Sequence, residues 1–247
     1  MALKQTNIIG VLGGMGPLAT QVFFGEVISN TDAKRDQEHV NMLIINHATI
    51  PDRTEALLSG DTEPLFNELL EDCVFLERSG VSHIVIPCNT SHFFIKRLRM
   101  NLKVSIINMA REAVLEVKSK KSSNTRIGIL ATDGTIEMKL YQKELESEGL
   151  NPYVPSGENQ KRVMKIIYDG VKGGGKIEFA DFKLIEEELI ANGCGQVILG
   201  CTELSCFAKE NNLPPDYYID AMRVLARKTI TAAGGKLKNS MERDVNL

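Results

Sequence analysis

The feature that most limits how this chain can fold is a rhythm that runs once and then restarts. Ile8 to Gly13 (IIGVLG), Val40 to Asn46 (VNMLIIN), His83 to Pro87 and Val104 to Asn108 (VSIIN) are short apolar runs that read as buried strands. Helices are predicted between and after them, over Leu18 to Asn30, Thr62 to Ser79, Ser91 to Leu102 and Ala110 to Lys120. From Arg126 the pattern begins again. Strands are predicted at Arg126 to Ala131 (RIGILA), Gln196 to Gly200 and Tyr217 to Ile219. Helices are predicted over Ile136 to Glu148, Glu158 to Val171, Phe179 to Ala191 and from Ala221. Strands alternating with helices imply parallel sheets covered by helices.

The second run repeats the first in detail. Ile9-Gly10-Val11-Leu12 matches Ile127-Gly128-Ile129-Leu130, and Gly16 matches Gly134 at the same offset. Gly80 stands eight residues before Cys88, and Gly193 eight before Cys201. Matches in the same order point to two similar lobes. The expected fold is therefore α/β: two pseudo-symmetric lobes, each a mostly parallel sheet flanked by helices, with the active site in the cleft between them. The polar stretch Lys118 to Thr125 (KSKKSSNT) is the candidate hinge.

Bulk properties exclude several classes. The length of 247 residues suits one large domain or two lobes, and 43% hydrophobic with 25% charged residues is ordinary for a globular protein. A formal charge of −3 with no Lys/Arg cluster offers nothing to nucleic acid. No apolar run reaches the roughly 18 residues of a membrane span, and the opening MALKQTNIIGVLGG lacks a signal-type apolar core. A cytoplasmic protein is the expectation. Five cysteines, an odd number with no C-x-x-C, argue against a disulfide framework and against a four-ligand zinc site.

Two cysteines stand apart. Cys88 (VIPCNTSH) and Cys201 (ILGCTEL) each end a predicted strand and open into polar residues. Ligands of parallel sheets bind beyond the carboxyl ends of the strands. If the lobes face each other, the two sulfurs enter one cleft from opposite sides. Inverting a carbon stereocentre needs a base on one face and an acid on the other, which a thiolate and a thiol can supply. A helix start lowers a thiol's pKa, and Asn89-Thr90-Ser91 and Thr202-Glu203 read as capping residues. One cysteine at a strand end would pass for core packing; a matched pair does not. Gly13-Gly14-Met15-Gly16, Asn89-Thr90 and Thr132-Asp133-Gly134-Thr135 are candidate anion-binding loops. Arg53, in a short loop after the second strand, could grip a carboxylate with two hydrogen bonds; read alone it is a solvated loop arginine.

GGMGPLAT (13–20), IPDRT (50–54), PCNTSH (87–92) and LGCTEL (199–204) together resemble the aspartate racemase branch of the aspartate/glutamate racemase family, over roughly residues 7 to 235. The resemblance implies a two-lobed enzyme that works without pyridoxal phosphate or any other cofactor, forms a homodimer, and uses Cys88 and Cys201 as paired acid and base on a small dicarboxylic amino acid. It implies substrate contacts from Arg53, Asn89, Thr90 and Thr202, to which the candidate anion-binding loops add Met15, Thr132 and Thr135. It also points to Tyr168 and Lys172, which otherwise read as helix surface. It implies a last helix that returns to the first lobe, so the lobes are expected at 1–113 with 208–247, and at 114–207. Glu203 stands where the glutamate racemase branch has histidine, which favours aspartate as substrate, with glutamate possible beside it.

Two other readings compete. Gly14-x-Gly16-x-x-Ala19 fits a dinucleotide fingerprint, but the second strand ends at Asn46-His47-Ala48 without the acid that would hold a ribose. A non-catalytic dicarboxylate binder would need no paired thiols. Cys73, Cys194 and Cys206 read as packing residues, and Glu186-Glu187-Glu188 as a solvated helix face. His39, His47 and His83 show no partner in the sequence. His92 either orients Cys88 or bonds a neighbouring loop, and the sequence places neither Glu203 nor Asp52 near sulfur.

Overall fold

The computed structural model describes residues 7–120 and 126–238. Positions 121–125 of the candidate hinge, and the tail beyond 238, lie outside the described residues. Eight strands form among the described residues: β1 (Ile9–Gly13), β2 (Met42–Asn46), β3 (His83–Val85), β4 (Ser105–Ile106), β5 (Arg126–Leu130), β6 (Asn151–Tyr153), β7 (Cys194–Leu199) and β8 (Tyr218–Asp220). They build two four-stranded sheets, ordered β2-β1-β3-β4 and β6-β5-β7-β8, with every pairing parallel. The two orders are the same permutation, so the repeat in sequence is a repeat in topology.

The helices are α1 (Pro17–Asn30), α2 (Arg53–Ser59), α3 (Glu63–Arg78), α4 (Ile95–Asn101), α5 (Met109–Ser119), α6 (Asp133–Glu137), α7 (Leu140–Ser147), α8 (Gly157–Lys165), α9 (Phe179–Ala191), α10 (Thr202–Glu210) and α11 (Ala221–Ala232). The repeated strand glycines have a packing reason. A Cβ on Gly10 would meet the Leu76 methyls of α3 at 3.2 Å, and one on Gly128 would meet Leu189 of α9 at 2.9 Å. Each glycine lets the helix that precedes β3 or β7 lie close against its sheet.

One apolar cluster joins the lobes. It holds Ile9, Val11 and Phe23 of the first, Ile127, Ile129 and Ile198 of the second, and Val114, Leu225 and Ile230 from α5 and α11. Two further clusters fill the outer layers, one under α3 and one under α9. The last helix packs against α1 and α5. The strand before it does not follow: β8, assigned with the first lobe by a boundary at 208, pairs with β7 in the second sheet.

Several local expectations are corrected. The helix expected over Ile136 to Glu148 is broken in two, because Lys139 between α6 and α7 adopts a left-handed φ of 55°. The edge strand β6 was hidden by Pro152, which an edge position tolerates. The helix after Cys88 opens with a 3₁₀ stretch, Thr90–Phe94. The helix expected from Glu158 continues from α8 into a π-helical stretch, Ile166–Lys172. Of the three consecutive glutamates only Glu187 is exposed; Glu186 accepts from Tyr218, and Glu188 from Tyr153, Ser156 and Asn159.

Candidate active site

Loops leaving the carboxyl ends of the central strands meet at one point. Those after β1, β3, β5 and β7 contribute Met15, Cys88 to Thr90, Thr132, and Cys201 to Glu203. The loop after β2 contributes Asp52 to Thr54, and the π-helical stretch adds Tyr168 and Lys172. Cys88 and Cys201 line the same pocket. Every sequence-predicted site residue lines it except Thr135, which lies behind it: its hydroxyl bonds Thr90 at 2.9 Å and Thr132 at 3.1 Å. The pocket's free volume is about 10 Å³, enough for a single water-sized sphere. The lobes are thus closed on each other. A larger cleft of about 860 Å³ lies beside α1, α10 and α11, lined by Glu26, Lys209 and Arg223, but neither Cys88 nor Cys201 lines it. Chemistry rather than size selects the smaller pocket.

Arg53 is not a solvated loop residue. It opens α2, is buried, and donates through Nη1 to the carbonyls of Pro51 at 3.1 Å and Ile50 at 3.4 Å. Burial would lower its pKa, but Cys88 and Asp52 beside it more than compensate, so the guanidinium is held in its charged form. Asp52 caps α2 by accepting from the amides of Thr54 and Glu55. Across the cleft Tyr168 donates to both Asp52 oxygens at 3.3 Å, and Lys172 Nζ lies 3.9 Å from Oδ2. These contacts join lining residues of the two lobes. Sequence periodicity assigned Tyr168 and Lys172 to a helix surface; the wider π turn places both toward the first lobe.

The two thiols sit in unlike surroundings. Cys88 has Arg53 as its charged neighbour. Cys201 is the N-cap of α10, yet a lowered pKa does not result. Burial pushes its thiol well above the ordinary value, and the adjacent Glu203 carboxylate raises it further, with Lys172 only partly opposing. Desolvation outweighs the helix start. The thiol donates to Glu203 Oε2 at 2.9 Å, and the Thr202 hydroxyl donates to the same oxygen at 3.1 Å.

His92 does both things left open by its sequence. Nδ1 bonds the Cys88 carbonyl at 2.9 Å, and Nε2 accepts from the Met109 amide at 3.0 Å. It therefore ties the Cys88 loop to the start of α5 in one neutral tautomer. His47 gains a partner as well, Asp72 at 2.8 Å. Cys73 is pushed up to about 12, and Cys194 and Cys206 to about 11, mainly by burial, which fits packing roles. Among the described residues no cluster of His, Cys, Asp or Glu could hold a metal ion, and no helix is long and apolar enough to cross a membrane.

Two matched parallel sheets with a thiol from each in one closed pocket define a two-lobed racemase fold. The family described as Asp/Glu/Hydantoin racemase matches residues 12–229, and the chain belongs to it. An aspartate racemase from Picrophilus torridus superimposes with a TM-score of 0.78 at 32% identity, covering 94% of this chain and 96% of that one. The broad specificity amino-acid racemase RacX of Bacillus subtilis (strain 168) is 25% identical, covering 91% of this chain and 97% of its own. A glutamate racemase from Aquifex pyrophilus shares the fold at a TM-score of 0.59 and 24% identity, over 91% of this chain and 83% of that one.

Proposed function

We propose that this chain interconverts L- and D-aspartate by proton transfer at Cα between Cys88 and Cys201. The observation that carries the reading is the pairing itself: two cysteines from equivalent loops of two lobes line one pocket that also holds two cations, Arg53 and Lys172. Two cations suit a substrate with two carboxylates. In the first direction Cys88, flanked by Arg53, takes the Cα proton as a thiolate. Cys201 gives its thiol proton to the opposite face. Enzyme and product then carry the same number of protons as enzyme and substrate did, with thiol and thiolate exchanged. The return reaction uses them in reverse. The developing negative charge at the substrate is met by the cations Arg53 and Lys172 and by the Asn89 amide, all of which line the pocket. The pocket is far smaller than an amino acid, so substrate entry requires the lobes to part, and with them the contacts of Asp52 with Tyr168 and Lys172.

Incubation with each aspartate enantiomer in D₂O tests this. Wild type is expected to equalise the enantiomers and to place deuterium at Cα. Cys88→Ser and Cys201→Ser should each lose racemisation by at least about 10²-fold, with one-sided exchange surviving in at most one direction for each. Absence of Cα exchange in wild type, with aspartate and glutamate alike, would sink the reading. The similarity to a racemase named for broad specificity favours a second reading, a wider substrate range, which the same assay decides with neutral amino acids.

A further inference from the structure

Tyr141 belongs to no motif, and its sequence reads only as one more apolar position on an amphipathic helix. It lies on α7 with 0% exposure. Its hydroxyl donates to Oδ1 of Asn89, the residue after Cys88 in the other lobe. Its ring lies against Gly200, the residue before Cys201, where an added Cβ would come within 2.7 Å of the ring's Cε2. A single side chain thus touches the neighbours of both thiols.

The other end of the Asn89 amide is in a different position. Nδ2 is buried and has no hydrogen-bond partner among the described residues, while Asn89 lines the pocket that both cysteines share. A buried donor without an acceptor is unfavourable, and such groups mark places where something else binds. A side-chain amide has two orientations that exchange oxygen and nitrogen. A buried phenol has one proton to place, and Oδ1 of Asn89 is the acceptor it reaches. Burial holds that proton on, pushing the Tyr141 pKa well above its ordinary value, with Asp220 and Cys201 adding to the effect. The hydroxyl therefore selects the orientation that leaves Nδ2 free.

We propose that Tyr141 is a positioning residue, which aims the Asn89 amide so that Nδ2 donates to a carboxylate oxygen of the bound amino acid. The inference rests on reading the pocket as a racemase site, and it adds a group that never touches the substrate.

Tyr141→Phe keeps the ring against Gly200 and removes only the hydroxyl. The expected result is a KM for aspartate raised about five- to tenfold, the size of one lost hydrogen bond, with kcat changed less. Combined with Asn89→Ala, it should add nothing to the loss that Asn89→Ala causes alone, because no amide is left to aim. Multiplying losses, or a wild-type KM in Tyr141→Phe, would overturn the proposal. Asn89→Asp keeps the acceptor for Tyr141 and removes the donor. It should stay folded and bind aspartate poorly, and an unchanged KM would count equally against the idea. A ligand-free measurement separates this from the function. In ¹⁵N-labelled protein the Asn89 side-chain amide signal, identified by its loss in Asn89→Ala, should shift in Tyr141→Phe. An unmoved signal refutes the positioning role even if racemisation is confirmed. A shifted signal in a protein that exchanges no Cα proton would leave the positioning intact and sink the racemase reading.

Discussion

The Sγ of Cys201 donates to Oε2 of Glu203 across 2.9 Å, with both side chains buried. Cys88, its counterpart in the repeat, has a guanidinium as its charged neighbour instead. The fold is symmetric and its electrostatics are not. Burial and the Glu203 charge keep the proton on Cys201, which under the proposed mechanism makes it the donor before substrate arrives.

Glu203→Gln should therefore move the Cys201 titration to lower pH. Burial pushes Cys73 up to about 12 and Cys194 and Cys206 up to about 11, so in a Cys88→Ser background these thiols stay protonated at lower pH. Thiolate absorbance that appears below that range is then assigned to Cys201. In otherwise wild-type protein the same substitution should lower kcat/KM on the order of 10²-fold. The fall must be equal in both directions, since enantiomers have equal free energy. A titration unmoved by Glu203→Gln would show that the carboxylate does not govern this thiol.

Gly134 lets the two lobes approach closely beside the site. A Cβ there would lie 3.0 Å from the Thr54 Cα, a backbone atom that cannot rotate away. Gly134→Ala should force α6 and α2 apart by a few tenths of an ångström. Because thiol chemistry depends on sub-ångström placement, kcat/KM is expected to fall roughly tenfold while Tm changes by only a few degrees. Full activity in this variant would mean that the lobe spacing is not set here.

Asp52 carries a testable pH signature. Partial burial would raise its pKa, but the amide of Glu55, Arg53, Lys172 and the amide of Thr54 outweigh it, and the net shift is downward. A carboxylate depressed in the folded state contributes stability that is present above its unfolded pKa of about 3.9 and is lost as pH falls through the folded value. Asp52→Asn keeps an acceptor for the Thr54 and Glu55 amides but removes the charge, and should lower stability at neutral pH by about 0.3–1 kcal/mol, read as a lower Tm. It should also flatten the fall of Tm below pH 4, measured by calorimetry from pH 7 to 3.

His92 gives a second window. Burial pushes its pKa below the ordinary value, and bonds to the backbone of Cys88, Ile107 and Asn89 only partly oppose this. The unfolded chain binds a proton near pH 6.5 and the folded chain resists it, so the associated stability is present above that pH and declines as pH falls. Wild-type Tm should drop between pH 7 and 5. His92→Gln, less stable throughout, should show a shallower drop over the same range. Equal slopes would contradict the neutral, doubly bonded imidazole.

Much of this was legible in the residues. Runs such as IIGVLG and RIGILA announce strands because apolar side chains must be buried on both faces of a covered parallel sheet. The positions of Cys88 and Cys201 follow because polar residues after a buried strand have to emerge beyond the carboxyl end of the sheet. Features hidden from periodicity were those set by distant partners. The edge strand β6, which carries Pro152, shows no apolar run of its own and went unpredicted. Tyr168 and Lys172 looked like surface until a π turn redirected them. Arg53 looked solvated until the fold buried it beside Cys88 and Asp52.

By itself, then, the sequence determined the alternation of strands and helices, the duplication, and the two thiols at equivalent strand ends, all of which depend on local patterns of apolar and polar residues. Only the tertiary structure decided that the two sulfurs differ: Glu203 beside one and Arg53 beside the other. It alone placed Tyr141 against the neighbours of both. Charge and desolvation depend on which groups are brought within a few ångströms through space, and no spacing along the chain encodes that distance.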